Sequence, residues 1–99
     1  MVAVIVRHKV NDFDAWKPAF DEHGAVRRSL GALGHQVYRG TADPREVIIV
    51  NTFKDLAGAQ AFMSDPSLPE VMQRAGVADK PDIYLTEQVE VVDYPLTVG

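Results

Sequence analysis

Residues 2–10, VAVIVRHKV, constrain this chain more than any other stretch. β-branched side chains run almost without interruption, which reads as a strand from Val2 to Val10. Alternation places Val2, Val4, Val6 and Val10 on one side and Ala3 and Ile5 on the other. Both sides are apolar, so the strand must be covered twice. Arg7, His8 and Lys9 then close it. His8 shares the valine side, while Arg7 and Lys9 project the other way. The run therefore offers one candidate site residue between two solvated ones, or simply a strand end leaving the core.

The rest of the chain supplies the partners. Asn11, Asp12 and Asp14 are capping residues, and Pro18 places the start of the main first helix near residues 14–17. That helix is expected to run to Leu30 or Leu33, with Gly31 and Gly34 to stop it. Strand two is expected over His35–Gly40 and strand three over Glu46–Phe53, joined by the turn residues TADPRE. KDLAGAQAFM forms a second helix. A short third helix follows, capped by Asp65, opened by Pro66 and ended by Gly76. DIYLTEQVEVVDY reads as a long last strand, and PLTVG either extends it or reaches a neighbour.

This order, β-α-β-β-α-α-β, is the ferredoxin-like split βαβ plan of the α+β class, over one domain of residues 1–99. It implies a four-stranded antiparallel sheet in the order 4-1-3-2 with every helix on one face. The other face of an apolar strand one is then left bare, which predicts a homodimer with the two sheets facing each other.

Composition removes several classes of function. A net charge of −4 argues against nucleic acid and anionic membranes as partners. No apolar run approaches a membrane span, and the N-terminus enters a strand without the features of a signal peptide. The absence of cysteine excludes disulfides and thiolate chemistry and fits a cytoplasmic protein. The three histidines lie on different elements without ligand spacing, so no metal site is predicted. Neither a phosphate loop nor a serine elbow is present.

The strand-helix order, the aromatic opening FDAWKPAF of the first helix and the segment FMSDPSLPEVMQRAGV before the last strand resemble the dimeric α+β barrel superfamily. Its members include antibiotic-biosynthesis monooxygenases, haem-degrading monooxygenases, polyketide cyclases and stress-responsive barrel proteins. The resemblance spans residues 1–93. It implies a pocket between helices and sheet in which cofactor-free enzymes oxidise phenolic or anthrone-like rings, using Asn, Trp, Tyr and Arg to position the ring. Asn51 on strand three is the match for the asparagine; Trp16 lies on the first helix, away from a clear family position. The haem-degrading branch takes an iron-binding histidine from the second helical segment. Residues 55–75 contain none.

Among the residues themselves, Trp16, Ala19, Phe20, Val26 and Leu30 fall on one arc of the first helix, with His23 near its centre and Arg27 one turn on. His23 reads as a general base or as a core histidine paired with a backbone carbonyl. Arg27 reads as a ligand contact or as a structural residue snorkelling from the helix end. His8 is the second candidate base, expected near Asp82, Tyr84 and Trp16. Phe20, Tyr84 and Met72 complete a candidate substrate-binding set, against a core role for the aromatics and Met72. His35 begins strand two just after Gly34, at a loop position with little claim to function.

Two functional classes follow. One is a cofactor-independent, monooxygenase-like enzyme on a small aromatic or polyketide-like compound, with His23 or His8 removing a proton; a polyketide cyclase begins with the same step. The other is a non-catalytic ligand-binding or stress-response barrel with a filled pocket.

Overall fold

The computed structural model describes residues 1–96. The elements are β1 (Val2–Lys9), α1 (Phe13–Glu22), α2 (Gly24–Ser29), β2 (Ala32–Arg39), β3 (Glu46–Phe53), α3 (Leu56–Ser64), α4 (Ser67–Arg74) and β4 (Asp82–Glu87). The strands form one sheet in the order β2-β3-β1-β4, every pair antiparallel. This is the α+β, ferredoxin-like arrangement expected from the sequence.

The valine side of β1 is the buried one. Val4, Val6, His8 and Val10 lie beneath the helices together with Val47, Ile49, Asn51 and Phe53 of β3. Trp16 and Phe20 of α1 and Phe62 of α3 close this core from above. α3 approaches so closely that a Cβ on Gly58 would collide with the backbone carbonyl of Leu30. No helix is long and apolar enough to cross a membrane.

Several details of the first helices and of β2 differ from expectation. α1 begins at Phe13, because the Asp12 carboxylate accepts the Asp14 N–H at 3.0 Å and caps the helix there. Pro18 sits inside α1; the carbonyl it leaves without an N–H belongs to exposed Asp14, where water can serve it. The single first helix is two, broken at His23, which ends α1 and opens α2. β2 starts three residues early, at Ala32, after Gly31 turns the chain with φ +98°.

The last strand is shorter than its sequence suggests. β4 pairs with β1 only as far as Val2, and the Gln88 N–H bonds the Met1 carbonyl at 2.9 Å. Beyond that pairing Val89–Leu96 carries no regular structure despite its alternation. Pro95 and Leu96 do not extend the strand, and the remainder of the tail lies outside the described residues.

The second sheet face is open. Ile5, Ile48 and Val50 are half-buried at its centre, with Tyr38 and Tyr84 exposed beside them. Arg7 lies across one end, paired with Glu46 at 3.0 Å and Asp82 at 3.2 Å.

Candidate functional site

Phe13, Trp16 and Phe20 are three and four residues apart, so α1 presents them as one row over the sheet. Trp16 stacks on Phe20 at 4.9 Å between centroids. His8 meets Trp16 edge-on at 5.7 Å, and His35 meets Phe20 edge-on at 5.0 Å. Beyond the row, the Arg27 guanidinium lies 3.8 Å above the centre of the Phe20 ring.

His23 is held by a chain of hydrogen bonds from α4. Its Nε2 is 2.8 Å from the Ser67 hydroxyl. Ser67 directs both its hydroxyl and its N–H at the Asp65 carboxylate. Those bonds hold the Asp65 carboxyl below its ordinary range, so it stays ionised and can only accept. The Ser67 proton therefore goes to Asp65, and Nε2 must donate to Ser67. This assigns the tautomer: His23 carries its hydrogen on Nε2 and keeps a lone pair on Nδ1. Burial and the positive charge of Arg27 lower the His23 pKa against the pull of Asp65, so the ring is neutral at pH 7.

Three more polar groups are buried nearby. His8 is 2% exposed; its Nδ1 has no hydrogen-bond partner, and burial lowers its pKa against the attraction of Asp79. Asn51 is 2% exposed, and its Oδ1 is likewise unpartnered. Arg27 is 4% exposed, and burial lowers its pKa to about 10. Groups of this kind are normally bonded, and each one left open costs about 1–3 kcal/mol.

All of them line one cavity. His8, Trp16, Phe20, His23, Arg27, Asn51 and Met72 border a space of about 40 Å³ floored by Val6 and Ile49. The sequence-based set is thus brought together with one exception. Tyr84 pairs with Ile5, which puts it on the open face, 56% exposed and away from the cavity. It is Arg7, not His8, that meets Asp82, because the two alternate across the strand. Arg27 does not snorkel out; it is drawn in over Phe20. The partner of His23 is a side chain rather than a backbone carbonyl.

Sequence reasoning missed three participants. His35 belongs to β2 and lies opposite Asn51 on the helix-covered face; the alternation His35, Val37, Arg39 was the available signal. Asp65 was recognised as a cap, but nothing local ties Ser67 to a histidine 44 residues away.

The cavity as it stands holds a few waters and no ring, since a cavity near 150 Å³ is what accommodates benzene. Its outer wall is α4, through Leu68, Val71 and Met72, and no residue of that helix is fully buried.

No protein-family model matches the sequence, and no curated protein matches it. Solved structures do. A variant of SnoaB, a cofactor-independent oxygenase from Streptomyces nogalater, superposes with a TM-score of 0.74 at 14% identity, over 94% of this chain and 97% of that one. An antibiotic biosynthesis monooxygenase aligns with a TM-score of 0.67 at 16% identity, over 91% of this chain and 100% of that one. The chain has the fold of the antibiotic biosynthesis monooxygenases. A protein of unknown function from Nitrosomonas europaea, NE2512, shares this monooxygenase fold, with a TM-score of 0.71 at 18% identity over 97% of this chain and 95% of that one. At such identities the likeness establishes the monooxygenase fold and leaves chemistry to the residues themselves.

Proposed function

We propose that the protein is a cofactor-independent, monooxygenase-like enzyme acting on a small aromatic or polyketide-like compound, with His23 as the base. The carrying observation is that unpartnered polar atoms of Asn51 and His8 border the same cavity as a histidine whose tautomer is set by Ser67 and Asp65. Nδ1 of His23 takes a phenolic proton or one α to a carbonyl. The Asn51 amide and Arg27 stabilise the resulting anion. The carbanion attacks O2, a C–O bond forms, and loss of water from the hydroperoxide leaves a new carbonyl. One oxygen atom stays on the ring and the other leaves as water, so a ring methylene supplies all four electrons. Admitting a ring requires α4 to move outward. The small size of the cavity favours a second reading, a binding protein for a small ligand.

The working unit we propose is a homodimer in the cytoplasm. The apolar centre of the open face, Ile5, Ile48 and Val50, supports a second copy of the sheet as its cover.

Oxygen uptake with anthrone, whose ring methylene can supply the four electrons, tests the reading, comparing wild type with His23→Ala after each is shown to be a folded dimer. Uptake that falls by 10²-fold or more in the variant identifies the base. Unchanged uptake moves that role to His8. No uptake with anthrone rejects the oxygenase in favour of a cyclase or the binding protein.

A further inference from the structure

Arg27 is a buried cation without an anion. Its guanidinium lies over the Phe20 ring, an interaction that itself uses none of its five N–H donors. Among the described residues no carboxylate forms a salt bridge with it. Asp21 is the acid whose charge it feels, and that carboxylate is already held by Lys17 Nζ at 2.6 and 2.8 Å. The neighbouring Arg28 adds positive charge rather than removing it. A buried charge is retained at a cost of several kcal/mol unless something pairs with it.

The position of Arg27 indicates what that is. Besides bordering the cavity, it borders a second and larger space of about 460 Å³, a groove between α1–α2 and β2 whose walls include Arg28, Leu33, Gly34 and His35. It is thus shared between the cavity and a route to solvent. Gly24 preserves its place, since a Cβ there would come within 3.2 Å of a terminal nitrogen of Arg27.

We propose that the ligand of the cavity is an aromatic acid whose carboxylate seats on Arg27, where the cavity meets the groove. The planar fork of a guanidinium matches a carboxylate in shape and charge. One arginine beside Asp21 suits a single negative charge better than a phosphate. The inference rests on the reading of the cavity as an aromatic site, but its test is binding and needs no turnover.

Calorimetry with naphthalene-2-carboxylate and its neutral analogue naphthalene-2-carboxamide provides that test. Wild type is expected to bind the acid at least tenfold more tightly than the amide. Arg27→Met should abolish the difference while leaving amide binding in place. Gly24→Ala, which crowds the guanidinium but keeps its charge, should weaken the acid selectively and serves if Arg27→Met does not fold. Equal binding of acid and amide to wild type overturns the carboxylate and spares the aromatic cavity. Binding of neither overturns both. Acid binding that survives both substitutions removes Arg27 from the role.

Discussion

The two faces of the sheet are built from the same strands and do opposite things with polar groups. On the open face Arg7, Glu46 and Asp82 satisfy one another in water around an apolar centre. On the covered face His8 and Asn51 are sunk among apolar side chains, each with a polar atom left unpartnered among the described residues, and Arg27 lies beside them over the Phe20 ring. Ion pairs at a surface are inexpensive and contribute little. Unpaired polar groups in a core are destabilising, and a fold carries them where something else must bind.

The sharpest contrast between the faces comes from truncation. Phe53 is fully buried beneath the helices, and Phe53→Ala should lower unfolding free energy by about 3–5 kcal/mol in urea titration. Tyr84→Ala on the open face should change the intrinsic stability of the subunit by no more than about 0.5 kcal/mol. Equal losses would mean that the open face is part of the core.

A charge at the centre of the open face should act on assembly instead. Ile48→Asp is expected to halve the sedimenting mass while far-UV circular dichroism is preserved. A wild type that sediments as a single chain would remove the dimer.

On the covered face, deleting an unpaired atom should help folding and harm function. Asn51→Leu is expected to raise unfolding free energy by about 1 kcal/mol, because the buried Oδ1 it removes has no bond to lose. The same variant should lose most oxygen uptake. A stability loss would show that Asn51 is structural.

The histidines give that face a pH dependence. His8 and His23 both titrate below the ordinary histidine value of 6.5, so the unfolded chain binds their protons first as pH falls. Stability is therefore flat above about pH 7 and declines below 6.5, until the folded-state values are reached. Tm measured from pH 7.5 to 5 should show the decline, and His8→Phe should lessen it. At the small end, Lys17→Ala breaks an exposed pair with Asp21 and should shift unfolding free energy by about 0.3 kcal/mol.

Much of the fold was readable because it depends on local chemistry. β3 was bounded correctly at Glu46 and Phe53, since turn residues and an apolar run define both ends. The excess length assigned to β4 had no local cure: Val89–Tyr94 alternates like a strand, and only the register of β4 on β1, which ends at Val2 and Glu87, shows it unpaired. Trp16, Phe20, His23 and Arg27 were gathered by helical spacing even though the helix breaks at His23, because the break does not rotate them off the core side. Tyr84 failed for a matching reason. A strand tells which residues share a side but not which side is covered, and the register Ile5 to Tyr84 decided that.

The sequence by itself determined the order of elements, the central place of β1 and the residues that can titrate, all set by backbone propensity and side-chain chemistry within a few neighbours. The tertiary structure decided which of those residues lack partners. Ser67 reaches His23 across 44 residues, Lys17 occupies the acid whose charge Arg27 feels, and among the described residues nothing reaches Asn51 Oδ1. Satisfaction of a buried polar group depends on every atom within about 3 Å of it, and those atoms come from elements that only folding brings together.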